Sequence, residues 1–434
     1  MNDTFYKKLP NGVRIVVRKS ISEVAYVGIM IGVGTRDEQA GESGLAHYIE
    51  HCVFKGCQHI ATSASRLIRP SVDRRESLEK ITFLSAKDII DRIEGAGGEI
   101  NAYTTKEETT FYAATQKKHW RKTLQLLSDM VLHPTLPKKE TDKEVEVILD
   151  EIDSYKDSPS ELIYDDFESL IFDGHPLAAP VLGTKKSVRS ISKKRETAIN
   201  FMQRTYQPER IVVFAQGAIT PQSVIQEVEK LFGNMVSHSD IPTRCVQLAD
   251  FRPMISTYKK HTHQVHVMLG GRAYPIGHEK QLALYLLNNI LGGGSMCSRL
   301  NMCLREQKGL VYTIESQYTP LSDTGYWSIY FASDAKDKDK CIHLIKQQLQ
   351  QLREKALSAK QMRQAIQQLY GQMAISAENQ ENSVLAMAKL MLYHDSAPTW
   401  EETFAKIAQL TSNQLFEVAQ EIFNENNISV LSYE

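Results

Sequence analysis

Residues 47–51 read His-Tyr-Ile-Glu-His, inside a stretch from residue 44 to residue 54 that is typical of an amphipathic helix. Residues four apart lie on one face of a helix, and residues three apart nearly so, which aims His47, Glu50 and His51 to the same side. Two imidazoles at this spacing can bind one Zn²⁺, and the glutamate beside them can take a proton from an attacking water. The stretch predicts hydrolytic chemistry. The alternative is a surface helix that happens to carry two histidines.

The composition is that of an ordinary globular protein. A chain of 434 residues is too long for one compact core and indicates two or three domains. With 42% hydrophobic residues, 24% charged residues and a formal net charge of −1, nothing points to nucleic acid or to an anionic membrane. The first residues lack a basic segment followed by an apolar one, and no apolar run reaches membrane-spanning length, so we expect a cytoplasmic location. The six cysteines form no CxxC pairs and are expected to be reduced and mostly buried.

Two pairs of segments indicate an internal duplication. Residues 25–34 and 264–271 are apolar, β-branched runs that end in glycine, as buried strands do. Residues 190–218 and 410–433 each read as a capped amphipathic helix, a polar turn and a strand. The sequence therefore predicts an α+β protein of two homologous domains.

The boundary between the two copies is expected where periodicity is lost. Residues 237–253 carry prolines and aspartates and little regular pattern, which is typical of a linker. We therefore expect an N-terminal catalytic domain over residues 1–236, a linker over 237–253 and a C-terminal domain over 254–434.

A third zinc ligand has to come from another rigid element. A helix expected from about residue 141 to residue 155 carries several carboxylates, among them Glu144 and Glu151. These two residues are seven apart and lie on the same helix face, so one could bind the metal while the other supports it from behind. The alternative is a solvated acidic face.

Further motifs run through nearly the whole chain: Leu9 to Val13, Gly44 to His51 followed by Phe54-Lys55-Gly56, Gly97 to Thr104, Glu144 to Glu151, His175-Pro176, Leu291 to Gly294 with Ser298-Arg299-Leu300, and Leu304-Arg305-Glu306 leading to Gly309 through Tyr312. In these motifs the sequence resembles the pitrilysin family (M16) of inverted-zincin peptidases. The likeness is to the short two-domain bacterial type, which is similar to the beta subunit of the mitochondrial processing peptidase. In each domain, a mixed or antiparallel sheet flanked by helices is expected.

The resemblance implies a zinc site with one ion per chain. His47, His51 and Glu151 fall on the family's zinc ligands, Glu50 falls on the general base, and Glu144 falls on a second carboxylate that supports the site. In the second half, the pair His261 and His263 has no nearby carboxylate pair, and we interpret it as surface or structural.

The resemblance also implies how a peptide is held. Glu99, Asn101 and Ala102 fall on the strand that pairs with the substrate backbone in relatives, so sequence preference should be loose. Arg305 and Tyr312 match the pair in the later domain that holds the substrate and steadies the oxyanion. The alternatives are that Tyr312 is a core aromatic of a strand and that Asn101 is a turn former.

Together these observations predict a zinc endopeptidase that acts on short or unfolded peptides inside a closed chamber. Larger relatives build such a chamber from four domains of one chain, so this chain is expected to form a homodimer in which Arg305 and Tyr312 act in trans. The alternatives are a non-catalytic scaffold subunit of the same fold and the zinc-bearing partner of an obligate heterodimer. The intact ligand set argues against the first, and the presence of Arg305 and Tyr312 argues against the second.

One segment departs from the family pattern. The 99 residues between His51 and Glu151 are more than the family usually has, and the surplus lies at about residues 58–82. This insertion contains a short helix expected over residues 71–81 and the basic residues Arg66, Arg69, Arg74, Arg75 and Lys80. One hypothesis is a basic flap that favours acidic peptides. The alternative is a solvated insertion without a role.

Overall fold

The computed structural model describes residues 4–60, 81–191, 195–237, 244, 248–260, 262–396 and 398–434. Within these ranges the strands are β1 (Thr4–Lys8), β2 (Arg14–Lys19), β3 (Val24–Ile31), β4 (Gly56–Ile60), β5 (Ile81–Ser85), β6 (Glu99–Thr104), β7 (Thr109–Gln116), β8 (Ile211–Gly217), β9 (Ile255–Tyr258), β10 (Val265–Ala273), β11 (Val311–Pro320), β12 (Gly325–Ser333) and β13 (Ser429–Tyr433). The α-helices of the same ranges are α1 (Leu45–Val53), α2 (Ala86–Ile93), α3 (Trp120–Leu132), α4 (Lys138–Lys156), α5 (Pro159–Ile171), α6 (Lys185–Ile191), α7 (Arg195–Thr205), α8 (Pro221–Phe232), α9 (Gln281–Gly292), α10 (Lys338–Glu354), α11 (Ala359–Glu378), α12 (Gln380–His394), α13 (Trp400–Ala408) and α14 (Ser412–Ile422).

The chain folds into two compact units, and each unit is made of three separate segments of the sequence. Unit 1 comprises Met1–Asp150, Val181–Arg244 and Val384–Ser396. Unit 2 comprises Glu151–Pro180, Cys245–Ser383 and Ala397–Glu434. One boundary falls inside the continuous helix α4, between Asp150 and Glu151, and another falls inside α12.

Unit 1 is built on a six-stranded sheet in the order β1-β2-β8-β3-β7-β6. Neighbouring strands are antiparallel except β2 and β8, which run parallel. The central strands are apolar and buried on both faces: every residue of β8 is buried, as are the first four residues of β2. Such continuous burial explains why these strands read as unbroken apolar runs in the sequence.

Unit 2 is built on a five-stranded sheet in the order β11-β12-β10-β13-β9. Here the parallel neighbours are β13 and β9, and the other pairs are antiparallel. The core of this unit contains the fully buried Trp327 and Phe331, with buried residues of α9, α10 and α14. Sheet and helices thus share one apolar core.

The two sheets have the same topology. Counted from the parallel pair, unit 1 runs β2, β8, β3, β7, β6 and unit 2 runs β9, β13, β10, β12, β11. The paired segments 25–34 and 264–271 cover most of β3 and β10, and the segments 190–218 and 410–433 contain β8 and β13. The strands of each pair occupy equivalent places. The predicted α+β fold with an internal duplication is confirmed.

The acidic helix α4 differs from the sequence prediction at its start. Helix α4 begins at Lys138, directly after Pro137, instead of at about residue 141. Proline readily precedes or opens a helix because the first amides lack intrahelical partners.

In the described parts of the chain, no helix has both the length and the apolar character needed to cross a membrane.

Candidate metal centre

Helix α1 begins at a glycine that the local packing requires. Gly44 has φ +86°, and a Cβ built on it would lie 2.8 Å from the Leu182 carbonyl oxygen and 2.9 Å from the Gly183 Cα. The Glu38 carboxylate accepts hydrogen bonds from the amides of Gly44 (3.0 Å) and Ala46 (2.9 Å). The side-chain oxygens of Glu38 thus satisfy amides that have no intrahelical partner, and burial raises the pKa of this carboxyl group to about 8.

The helix buries its apolar face and His47, and it leaves Glu50 and His51 only partly covered. The rings of His47 and His51 lie 4.6 Å apart at an interplanar angle of 65°. Glu151, on α4, joins them: one ligand atom from each of the three side chains lies within 4.8 Å of the other two. The structure therefore brings together the three residues that the sequence motifs singled out as zinc ligands.

This donor set suits zinc. His47, His51 and Glu151 would hold the ion through two imidazole nitrogens and one carboxylate oxygen, which is a donor set of catalytic zinc sites. Burial, with a smaller effect of His51, lowers the pKa of His47 to about 3, so its ring is neutral and able to bind a metal.

Glu144 lies behind His51 on the same helix as Glu151. Its Oε2 is 3.2 Å from Nδ1 of His51, and its Oε1 is 2.7 Å from Nζ of Lys55. A carboxylate at Nδ1 fixes the ring orientation and leaves Nε2 to face a metal. Lys55 was not singled out as a site residue in the sequence, and the structure adds it through this contact.

Glu50 lies on α1 between the two histidines in sequence, and the last residue of β6 contacts it. Thr104 Oγ1 donates to Glu50 Oε2 at 2.6 Å. The buried phenol of Tyr206 lies close to the same carboxylate. Burial, helped by the charge of Glu50, raises the pKa of Tyr206. Both residues were missed in the sequence analysis; Thr104 belongs to a quoted motif, but nothing in the pattern linked it to Glu50.

The strand expected to receive the peptide lies at an edge of the sheet of unit 1. In the described residues β6 pairs only with β7, through partners such as Asn101 with Tyr112 and Ala102 with Phe111. Glu99 and Asn101 are exposed and Ala102 is half-buried. An edge strand of this kind can accept a further strand through its main chain.

Arg305 and Tyr312 belong to unit 2. Arg305 lies in a π-helix, Asn301–Glu306, and its side chain is about half exposed. Tyr312 is the second residue of β11 and is 78% exposed. A core role for Tyr312 is therefore excluded, and both side chains are accessible from solvent.

Three other sequence interpretations concern peripheral segments. His263 precedes β10 in a bend, while His261 lies outside the described residues. Residues 61–80 also lie outside the described residues, and with them residues 71–80 of the expected helix and the basic residues of the flap hypothesis. The flanking strands β4 and β5 pair antiparallel, from Gly56 with Ser85 to Ile60 with Ile81.

The five cysteines that the structure describes are all free thiols. Cys52, Cys57 and Cys341 are buried, and Cys297 is exposed.

The chain is similar to known proteins over nearly its whole length. The model described as "Insulinase (Peptidase family M16)" matches residues 14–68 and 78–185, and the model described as "Peptidase M16 inactive domain" matches residues 194–369. An uncharacterized zinc protease of Bacillus subtilis is 30% identical over 418 residues, which are 96% of this chain and 95% of that protein. The chain belongs to peptidase family M16. An uncharacterized zinc protease of Mycobacterium leprae is 28% identical over 96% of this chain and 88% of its own length.

Solved structures show the same M16 fold. A protease from Helicobacter pylori superposes with a TM-score of 0.85 at 20% identity, and each chain is covered completely. A protein from Pseudomonas fluorescens described as a peptidase M16 inactive domain superposes with a TM-score of 0.83 at 17% identity, over 99% of this chain and 98% of that one. The two-domain architecture is thus that of the M16 family.

Proposed function

We propose that this M16 protein is a zinc-dependent endopeptidase that hydrolyses short or unfolded peptides bound in extended form. The observation that carries the proposal is the convergence of His47, His51 and Glu151, whose ligand atoms lie within 4.8 Å of one another. An acidic helix face and a chance pair of histidines have no reason to converge in this way. The names of the relatives, which are zinc proteases, support the same chemistry.

In this proposal His47, His51 and Glu151 hold one zinc ion per chain. When bound, zinc supplies a Lewis acid that polarises a peptide carbonyl and acidifies water. Glu144 orients His51 through Nδ1, and Lys55 holds the carboxylate of Glu144 in turn. The ligands come from two helices rather than from loops, which keeps the donor set in place before metal and substrate arrive.

Glu50 acts as the general base. Its position on α1, three residues after His47 and one before His51, supports this role, because residues three apart on a helix lie on nearly the same face. There it takes a proton from the attacking water and returns it to the nitrogen of the leaving amine. The buried surroundings on one side of Glu50, including Tyr206, limit competing contacts with bulk water.

The substrate would add a strand to β6. Main-chain groups of Glu99, Asn101 and Ala102 would bond the peptide backbone, so the sequence of the peptide matters little and an extended conformation matters most. Folded proteins rarely offer an extended segment with free main-chain groups, which favours short or unfolded substrates.

Arg305 and Tyr312 would hold the peptide and stabilise the developing oxyanion. Their exposure supports a role in contacting other molecules. We propose that a homodimer forms the closed chamber and that each copy supplies these two residues to the zinc centre of its partner.

The decisive experiment compares the wild type with Glu50→Gln and His47→Ala, each purified alone. Hydrolysis of a pool of quenched fluorescent decapeptides, zinc content by atomic absorption and mass by light scattering are measured on all three. We expect Glu50→Gln to keep zinc and lose at least ~10²-fold in kcat, while His47→Ala loses zinc as well.

Each part of the proposal has an outcome that contradicts it. Undiminished hydrolysis by Glu50→Gln would refute the assignment of the base. A wild type that binds zinc and cleaves nothing would indicate a scaffold subunit, and cleavage that appears only with a second protein would indicate a heterodimer. A monomeric but active protein would exclude action in trans.

A further inference from the structure

Thr104, a residue of the sheet of unit 1, directly contacts the proposed base. Its hydroxyl donates to Oε2 of Glu50 at 2.6 Å, a short distance typical of a charge-assisted hydrogen bond. Helix α1 packs against β6, and Thr104 is the last residue of that strand. The contact therefore ties the base to the strand at which a peptide is proposed to bind.

The surrounding hydroxyls direct the Thr104 proton to Glu50. The other hydroxyl nearby is Thr109 Oγ1, 3.5 Å from Thr104 Oγ1, on the residue paired with Thr104 across the hairpin. Thr109 uses its own proton to donate to the Val33 carbonyl at 2.9 Å. Thr109 could therefore only accept from Thr104, and at 3.5 Å it is a more distant and weaker acceptor than the Glu50 carboxylate at 2.6 Å.

The loop between β6 and β7, which directly follows Thr104, is held by backbone and side-chain contacts. The Thr35 amide donates to the Thr105 carbonyl (3.2 Å) and the Arg36 amide donates to the Lys106 carbonyl (2.9 Å). In the same loop, the Glu107 carboxylate accepts from Arg36 at 2.6 Å, and both side chains are almost completely buried. A buried ion pair with backbone bonds on either side leaves the loop little freedom.

Three more contacts hold the loop, and their partners come from two distant segments of unit 1. Lys389 Nζ lies 2.7 Å from Oε1 of Glu108, and Tyr393 donates to Oε2 of the same residue at 2.9 Å. Arg244 donates to the Glu107 carbonyl at 2.9 Å. The loop after Thr104 is thus anchored by side chains that lie more than a hundred residues away in sequence.

We propose that Thr104 is a positioning residue that fixes the carboxylate of Glu50 for proton transfer. The inference rests on the proposed function, in which Glu50 is the base. Along β6 the side chains of Ala102 and Thr104 lie on the same face, so the strand that receives the peptide also sets the orientation of the base. A misplacement of the base by about 1 Å can cost on the order of 10²-fold in rate, so one hydroxyl at this place has a large effect.

The test compares Thr104→Val, which keeps the shape and removes the hydroxyl, with Thr104→Ser, which keeps the hydroxyl. With the decapeptide pool, Thr104→Val should lower kcat by ~10-fold to ~100-fold, with KM and zinc affinity within about two-fold of the wild type. Thr104→Ser should restore most of the kcat. Thr109→Val is the matched control, because its hydroxyl bonds the backbone instead of Glu50; it should lower stability and leave kcat within about two-fold.

A second measurement does not depend on activity. In crystal structures of the zinc-loaded variants, the Glu50 carboxylate should change rotamer or become disordered in Thr104→Val and return in Thr104→Ser. An unmoved Glu50 with unchanged kcat in Thr104→Val, or an equal loss of kcat in Thr109→Val, would overturn the inference. If Glu50→Gln is inactive while Thr104→Val is fully active, only this inference fails; if Glu50→Gln is active, the proposed function itself fails.

Discussion

Glu144 joins His51 to Lys55 through the two oxygens of one carboxylate, at 3.2 Å from the imidazole and 2.7 Å from the ammonium group. The side chain of Glu144 is 11% exposed, so the carboxylate is well shielded from solvent. Lys55 balances the negative charge of Glu144. The contact between Glu144 and Nδ1 orients the ring of His51, which is a proposed zinc ligand.

Glu144→Gln should therefore weaken zinc binding by ~10-fold to ~100-fold, because the amide has one acceptor oxygen for both Lys55 and His51 and lacks the negative charge that supports the imidazole. Competition with a fluorescent chelator measures the affinity. Glu146→Gln on the same helix is the control: Glu146 is exposed, and its replacement should leave zinc affinity unchanged. Equal affinities for Glu144→Gln and the wild type would show that Glu144 only neutralises Lys55.

Removal of zinc should make the protein sensitive to mild acid through His47. Its pKa is about 3 in the folded protein and is near 6.5 when the chain unfolds. Between these values the unfolded chain binds a proton that the folded chain does not, so stability is complete above pH 6.5 and is lost as the pH falls towards 3. The loss is at most ~1.4 kcal/mol per pH unit.

Urea unfolding in the presence of a chelator measures this effect. Between about pH 6.5 and about pH 5 the wild type should lose up to ~2 kcal/mol more than His47→Leu, which cannot titrate. His343→Gln removes an exposed histidine of α10 and should behave as the wild type does. A pH dependence identical in the wild type and His47→Leu would contradict the prediction.

Gly44→Ala should destabilise unit 1 because the new Cβ meets backbone atoms, at 2.8 Å from the Leu182 oxygen, and because φ is +86°. The two effects together should cost about 2–5 kcal/mol. Gly41 offers a matched control: its φ is +91°, and a Cβ there meets nothing within 4 Å. Gly41→Ala should cost only about 1–2 kcal/mol, so similar denaturation midpoints for the two variants would argue against the close approach at Gly44.

A fragment of residues 1–236, the N-terminal domain expected from the sequence, should be markedly less stable than the same region in the whole chain. Arg14, 7% exposed, donates to the carbonyls of Met391 (3.2 Å) and Leu392 (2.7 Å) and pairs with Asp395 at 3.1 Å. Without residues 384–396, the guanidinium loses these partners and keeps its bond to the Glu209 carbonyl (2.7 Å). A lost hydrogen bond to a charged group costs about 1.5–3 kcal/mol.

Limited proteolysis and urea unfolding measure the stability of the fragment. As an internal control, Arg14→Met should destabilise the whole chain strongly and the fragment much less, because the partners of Arg14 are already missing there. A fragment that unfolds as cooperatively as the whole chain, at the same midpoint, would show that residues 384–396 add nothing to unit 1.

The sequence predicted the features that local pattern determines. The period of the apolar residues located α1 and α4, and the pattern of each repeat located β3 and β8 with their counterparts β10 and β13. Likewise, the spacing within residues 47–51 and between Glu144 and Glu151 was enough to aim side chains along single helices.

Contacts between distant segments could not be predicted in the same way. Thr104 donates to Glu50 across 54 residues, and Lys389 bonds Glu108 across 281 residues. The membership of residues 384–396 in unit 1 also leaves no trace in local periodicity, because a helix that packs on one core or another shows the same apolar spacing. Tertiary packing and charge pairing determine which distant segments contact each other and which core a helix packs against.

The hairpin of β4 and β5 has a consequence for how this family can change over time. Its last pair, Ile60 with Ile81, holds the two ends of the intervening segment side by side. The entropy of closing such a connection grows only with the logarithm of its length, about 0.6 kcal/mol for each doubling. Evolution can therefore lengthen or shorten the chain at this point at little thermodynamic cost, while helix α1, which precedes the hairpin, stays unchanged.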